Sequence, residues 1–213
     1  MDIKLSKTDK KILLDSKDIY SLMQKILLKA SPVHQNKEHF WILGLANNNK
    51  LLFVELISLG SVNRTIVEPM EVYNPAIRRR AVKIVLCHNH PSGSTKPSDE
   101  DFDITDRLIQ VGQIINIPVV DHLIITTSSY LSFADVCLMK RLHKSIQYVP
   151  DYALAQKVRD VTTEEAEKEI VKIKKEVQQQ MRHTAAKLRK FGLTAKQIAE
   201  CTNLTIREVR HLK

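Results

Sequence analysis

The stretch that most constrains the fold is an apolar run that ends abruptly in a polar loop. Residues 81–87 read Ala-Val-Lys-Ile-Val-Leu-Cys, a segment of strand length that is rich in β-branched residues. His88 and His90 follow directly, and Gly93 and Pro97 mark a tight loop after them. Ligands commonly bind where a buried strand runs out into such a loop. The sequence therefore predicts a sheet-based domain with a site at this strand end.

Four side chains around this loop have the spacing of a metal site. Residues two apart in a strand point to the same side, so His88 and His90 can present their imidazoles to one ion. Ser98 is a favourable helix N-cap, and Asp101 falls at the third helical position, where a carboxylate suits the helix N-terminus. Two imidazoles and one carboxylate can hold Zn²⁺ and leave a fourth position for water, as in a catalytic zinc site. The alternative is a surface loop with two incidental histidines, and the flanking strand and capped helix favour the metal site.

These residues resemble a known family. The spacing His88-x-His90, then seven residues, then Ser98-x-x-Asp101 resembles the JAMM motif of the JAB/MPN metalloprotease domain, and the longer string is similar to its bacterial RadC branch. The similarity extends from about Glu38 to residue 133. It implies a mixed α/β, cytidine-deaminase-like fold and a zinc metalloprotease with one Zn²⁺ per chain. The implied substrate is a peptide or an isopeptide-linked protein.

The resemblance also implies a role for each site residue. His88, His90 and Asp101 would hold the zinc. Glu38 would be the general base that takes a proton from the zinc-bound water, and Ser98 would hydrogen-bond the oxyanion of the tetrahedral intermediate. From the residues alone, Glu38 is only a charged residue at a strand start. Ser98 could be only the helix N-cap, although the two roles are compatible.

Hydrophobic periodicity predicts the other elements of this domain. Residues 1–15 are expected to be poorly ordered or a loose strand. The predicted helices cover 18–28, 68–80, 98–115 and 134–143, and the predicted strands cover 38–45, 51–57, 81–87, 118–126 and 130–133. This order implies a mixed sheet with helices on it. Asp121 and His122 begin one strand, where they either orient a metal ligand or cap the strand end.

Composition limits the class of protein. The chain has 213 residues and a formal net charge of +9, with no apolar stretch long enough for a membrane span or a signal peptide. Cys87, Cys137 and Cys201 form no Cys-x-x-Cys pair, which suits a reducing compartment. We therefore expect a cytoplasmic protein that has no membrane partner. Residues 1–143 are predicted to form the metalloprotease-like domain and residues 144–162 a linker.

Residues 163–213 are predicted to form a helical tail. Residues 163–191 have a narrow apolar seam that requires a partner helix, either from a second copy of the chain as a homodimer or from the domain itself. The seam consists of Ile170, Ile173, Val177, Met181, Thr184 and Leu188. Gly192 then ends this helix, and two capping boxes begin short helices at Thr194 and Thr205.

The two short helices resemble a helix-turn-helix. Candidate base-reading side chains in the second one are Arg207, Arg210, His211 and Lys213. Residues 151–213 carry a net charge of +5, which permits DNA as a partner without showing it. The rival function is therefore a DNA-associated accessory protein in repair or recombination, with a structural or vestigial metal site and a basic tail that binds DNA.

Overall fold

A computed structural model describes residues 12–60, 67–202 and 204–211 of the chain. The expectation for residues 1–15 therefore lies largely outside the described residues. The chain divides after Asp151 into two compact units, which are described separately.

The first unit is built on a mixed sheet. Within the described residues, five strands pair in the order β2-β1-β3-β4-β5. The strands are β1 (Glu38–Leu45), β2 (Leu51–Gly60), β3 (Lys83–Asn89), β4 (Val119–Ile125) and β5 (Tyr130–Ser132). Only β3 and β4 pair in parallel, and the helix that connects them provides the crossover which a parallel pair needs. The predicted mixed α/β fold is confirmed.

Helices cover both faces of this sheet. The helices of the first unit are α1 (Ser16–Lys29), α2 (Pro32–Gln35), α3 (Pro69–Arg78), α4 (Asp99–Ile114) and α5 (Leu138–His143). Leu22, Met23 and Leu27 of α1 belong to the apolar core on one face. Residues of α3, α4 and α5 belong to the core on the other face.

Strand alternation decides which face receives the histidines. Trp41 and Cys87 belong to the core on the α1 face, whereas Phe40 and Leu86 belong to the core beneath α3 and α4. Phe40 pairs with His88 across the antiparallel β1–β3 ladder, and their rings stack with centroids 6.2 Å apart. The His88 side chain therefore emerges on the α4 face of the sheet.

The helix predicted at 134–143 is shorter than expected. It begins at Leu138, because Cys137 has a left-handed backbone (φ 61°) and residues 134–137 form a turn. Side chains accept from the first two N–H groups of this turn, whereas Val136 N and Cys137 N donate to backbone carbonyls. Asp121 accepts from Ala134 N at 2.9 Å, and Ser132 Oγ accepts from Asp135 N at 3.1 Å.

The long helix starts earlier than predicted. Helix α6 (Asp151–Lys190) begins at Asp151 rather than at residue 163, so most of the predicted linker 144–162 is helical. Thr163 and the glutamates that follow it also suit a helix start, which favours the later position from sequence alone. Pro150 and Asp151 already suit a helix start, and the following residues include many good helix formers.

The second unit has a small core of its own. Helices α7 (Ala195–Thr202) and α8 (Ile206–His211) follow α6, and the core contains Ala185, Ile198, Leu204 and Val209. Both predicted capping boxes are formed: Thr194 N donates to Gln197 Oε1 at 3.0 Å, and Thr205 N donates to Glu208 Oε2 at 2.8 Å. None of the helices in the described part of the chain has the length and apolar character that crossing a bilayer requires.

Candidate metal centre

Three side chains predicted as ligands converge between the end of β3 and the start of α4. His88 Nε2 lies 2.9 Å from His90 Nε2 and 3.0 Å from Asp101 Oδ1, and His90 Nε2 lies 3.5 Å from Asp101 Oδ2. His88 and Asp101 are buried, whereas His90 is half-buried. The three residues can each offer one ligand atom within 4.8 Å of the others, which makes them a group that could hold a metal ion.

The first turn of α4 places the carboxylate. Asp101 N donates to Ser98 Oγ at 3.2 Å, and Ser98 N donates to Asp101 Oδ2 at 2.8 Å, which is a reciprocal capping box. Asp101 Oδ1 is then directed towards His88. The local sequence Ser-Asp-Glu-Asp therefore starts the helix and aims the carboxylate in a single arrangement.

A backbone carbonyl sets the tautomer of His90. Its Nδ1 lies 2.8 Å from the carbonyl oxygen of Ser94 in the loop that follows. A carbonyl oxygen can only accept, so Nδ1 carries the proton and donates it. In neutral His90, the lone pair therefore lies on Nε2, the atom that faces His88 and Asp101.

The electrostatics of the cluster favour a cation among these groups. Burial by itself would raise the pKa of Asp101, but the adjacent imidazoles of His88 and His90 and the backbone N–H of Ser98 hold that pKa far below its usual range. The hydrogen bond with Asp101 raises the pKa of His90, against the opposing effect of burial; the carbonyl of Ser94 and the charge of Glu38 contribute further. The pocket therefore stabilises positive charge, as a metal site must.

Glu38 lies at the same edge of the sheet. It is the first residue of β1, it is half-buried, and its charge acts on His90. The buried side chain of Asn89 braces the backbone on both sides of it: Nδ2 donates to the Lys37 carbonyl at 3.0 Å, and Oδ1 accepts from His39 N at 2.8 Å. Asn89, between the two histidines, thus holds the segment that carries Glu38, and these two hydrogen bonds form the Asn89 clamp.

The structure separates the roles of Asp121 and His122, which the sequence left open. His122 is fully buried on the α4 side, with Nε2 2.8 Å from His88 Nδ1. Burial lowers the pKa of His122 well below the usual value, which keeps the ring neutral. Asp121 instead accepts hydrogen bonds from Ser132 Oγ at 2.6 Å and from Ala134 N. His122 therefore contacts a candidate ligand, and Asp121 ties β4 to β5 and the turn.

Sequence reasoning missed three residues that support the site. Thr105 lies 2.6 Å from His122 Nδ1 through its hydroxyl oxygen, yet it is also one of the regularly spaced buried residues of α4, as any core position would be. Ser94 acts through a backbone carbonyl, for which side-chain patterns give no signal. Strand alternation turns Asn89 away from the two histidines, and it gives no sign of the contacts that Asn89 makes with residues 37 and 39. A polar residue in a buried helical stripe, such as Thr105, was the one signal that could have been used.

The proposed DNA-contacting residues belong to the second unit. Arg207 and Arg210 lie three positions apart on α8, and both are exposed, as is His211. Val209 faces the opposite way into the small core. Lys213 lies outside the described residues.

The fold and the cluster together are those of a JAB/MPN α/β domain. The family model of the RadC-like JAB domain matches residues 13–138, and the chain belongs to this family. This agrees with the resemblance inferred from the motif.

Several relatives share this part of the chain. A "UPF0758 protein" of Alkaliphilus oremlandii is 48% identical over 109 residues, which cover 51% of this chain and 47% of the relative. A "UPF0758 protein" of Geotalea uraniireducens is 48% identical over 103 residues, or 48% of this chain and 45% of the relative. A "UPF0758 protein" of Methanosarcina mazei is 37% identical over 124 residues, which cover 58% of this chain and 52% of the relative. The chain therefore matches only about half the length of these relatives, whose names state no activity.

Proposed function

We propose that the chain is a zinc-dependent amide hydrolase that acts on a peptide or an isopeptide-linked protein. The convergence of His88 Nε2, His90 Nε2 and the Asp101 carboxylate in one cluster carries this proposal. Membership of a domain family that is usually hydrolytic supports it. Two imidazoles and one carboxylate are a donor set of catalytic zinc sites, which keep a position open for water or substrate.

These three side chains would hold the ion, and the residues around them would perform the remaining chemistry. When bound, zinc would supply a Lewis acid and lower the pKa of water to about 7. Glu38 would accept one proton from the attacking water and deliver it to the departing nitrogen, so that the amide C–N bond breaks and a new C–O bond remains. The Asn89 clamp supports this role because it holds the backbone on both sides of Glu38.

Ser98 would stabilise the negative oxygen that forms on the attacked carbonyl. Its Oγ accepts from Asp101 N in the capping box, and the hydroxyl proton is not used by that bond. A hydroxyl that is already held at the start of α4 loses little freedom when it donates to a substrate oxygen. Both roles of Ser98 are thus compatible.

Metal content tests the ligand set. We expect elemental analysis of the purified wild type to find about one zinc per chain, and we expect a His88→Ala/His90→Ala double variant to lose it. A Cys201→Ala variant is a suitable control, because Cys201 is an exposed thiol in the second unit. Wild-type protein without zinc after dialysis against the metal would contradict the proposal.

Glu38→Gln tests the general base. The amide keeps the shape of the side chain but cannot accept the proton, so hydrolysis should fall by about 100- to 10,000-fold while zinc content is unchanged. The measurement is turnover of a panel of peptide and isopeptide substrates that includes one cut by the wild type. Full activity in Glu38→Gln would exclude Glu38 as the base.

A second candidate function is favoured by the charge of the second unit. Residues 181–213 contain eight Lys or Arg and only two Asp or Glu, so they account for most of the net charge of +9. Among these residues, Arg207 and Arg210 are exposed on the second helix of the helix-turn-helix-like pair. We propose that this unit binds duplex DNA through these side chains, with phosphate contacts supplying most of the affinity.

Fluorescence anisotropy with duplex DNA in low and moderate salt tests this second candidate. Affinity should fall steeply as salt rises, and Arg207→Ala/Arg210→Ala should weaken binding and reduce the salt slope. The matched control is Lys172→Ala/Lys175→Ala, which removes the same charge from the exposed middle of α6. Equal loss in both double variants would indicate only unspecific attraction to the basic chain, and no binding at low salt would exclude DNA.

A further inference from the structure

Two residues outside the motif link His88 to Asp101 through a hydrogen-bond network behind the metal cluster. His122 Nε2 lies 2.8 Å from His88 Nδ1, and Thr105 Oγ1 lies 2.6 Å from His122 Nδ1. The Thr105 hydroxyl also contacts the backbone carbonyl oxygen of Asp101. Thr105, His122 and His88 are all fully buried. This network therefore connects His88 to Asp101 on the side away from their clustered ligand atoms.

The backbone carbonyl oxygen of Asp101 sets the direction of every hydrogen bond in this network. Because it can only accept, the Thr105 hydroxyl donates to it, and the Thr105 oxygen is left to accept from His122 Nδ1–H. A neutral imidazole carries one proton, so His122 Nε2 is an acceptor. His88 must then donate from Nδ1, and its lone pair lies on Nε2.

The opposite tautomer of His88 would be stable without this hydrogen-bond network. With its proton on Nε2, His88 could donate directly to Asp101 Oδ1, which is only 3.0 Å away. That hydrogen bond would satisfy the carboxylate and occupy the nitrogen that a metal needs. Some group must therefore hold the proton on Nδ1, and His122 occupies the place from which it can do so.

We propose that His122 and Thr105 are positioning residues that hold His88 in the tautomer whose Nε2 lone pair faces His90 and Asp101. The aromatic surroundings keep this arrangement in place, because the ring of Phe133 lies 4.9 Å and that of Phe40 5.8 Å from the His122 ring. The value of this tautomer for metal binding rests on the proposed function, whereas the tautomer itself is a property of the metal-free protein.

Two substitutions at one position isolate the hydroxyl. Thr105→Val keeps the shape of the side chain but can neither donate to Asp101 nor accept from His122. Thr105→Ser keeps the hydroxyl and is the matched control. Thr105→Ala, which also removes the hydroxyl, replaces the valine variant if that variant does not fold, as judged by near-ultraviolet circular dichroism.

Two measurements on the full chain test the proposal. Long-range ¹H–¹⁵N correlation spectra of the metal-free protein should show the His88 proton on Nδ1 in the wild type and Thr105→Ser, and a shift towards Nε2 in Thr105→Val. Zinc affinity from chelator competition should fall by roughly tenfold in Thr105→Val and stay near wild type in Thr105→Ser, as for other groups that orient metal histidines.

The outcomes separate this inference from the proposed function. An unchanged His88 tautomer, or unchanged zinc affinity, in Thr105→Val would overturn the positioning role. Equal losses in the serine and valine variants would also overturn it, because they would show sensitivity to packing rather than to the hydroxyl. A wild type that binds no zinc would instead refute the proposed function. The spectra of the metal-free protein would still test whether His122 and Thr105 hold the tautomer of His88.

Discussion

Ser98 stands where the loop after β3 becomes helix α4, and its hydroxyl already makes one structural contact with Asp101 N at 3.2 Å. The proposed role in hydrolysis adds a second contact, to the substrate. Substitutions at this position can separate the two roles, because an N-cap requires only an acceptor or a permissive backbone, whereas an oxyanion requires a donor.

We expect Ser98→Ala to lower both stability and activity, and Ser98→Gly to lower mainly activity. Loss of the cap in the alanine variant should cost about 1 kcal/mol of unfolding free energy, whereas glycine costs only a few tenths. Loss of the donor should reduce turnover by about 100- to 1,000-fold in both variants. Urea denaturation and substrate turnover provide the measurements. Wild-type turnover in Ser98→Gly would leave Ser98 as a cap alone.

At the scale of elements, the middle of α6 exposes an apolar face. Ile170, Ile173 and Val177 are 50%, 49% and 42% exposed, at the spacing of a two-stranded coiled coil. In a parallel pair of identical helices in this register, Glu169 of one chain would approach Lys174 of the other. This charge match favours a second copy of the chain as the partner.

We therefore expect concentration-dependent self-association through Ile170, Ile173 and Val177, the part of the seam that does not pack against the small core of the second unit. Ile173→Lys should abolish it, since two lysines would face each other in an apolar layer. Val171→Lys is the matched control, because Val171 is equally exposed, at 52%, but lies off the seam. Sedimentation equilibrium across a range of concentrations would measure both. Association that survives Ile173→Lys, or is lost equally in Val171→Lys, would contradict a dimer through these residues.

The elements also show where sequence patterns were sufficient. Strands 81–87 and 118–126 and the capped helix at Ser98 were predicted closely, because alternation and capping depend on residues a few positions apart. The predicted start of α6 was wrong because several helix-start signals compete in residues 150–165. The predicted start of α5 was wrong because Asp121 of β4 accepts a hydrogen bond from the Ala134 N–H, which belongs to the turn before this helix.

For the whole molecule, the sequence by itself determined the mixed α/β class, the family, and the spacing that lets His88, His90 and Asp101 form one cluster. These follow from local rules: a strand points alternate residues to one side, and an N-cap directs the carboxylate of the first helical turn. The +9 charge and the two capping boxes of the tail are likewise properties of the chain read in order.

Only the tertiary structure decided how that cluster is supported. The bond between His88 and His122 joins residues 34 apart in the chain, and the Asn89 clamp reaches a residue 52 positions away. Thr105 meets His122 only because α4 packs against β4. Such contacts depend on strand order and on helix packing, which hydrophobic periodicity does not specify. Local sequence therefore determined the candidate ligands, and the packing of distant elements decided their orientation and, as we propose, their protonation.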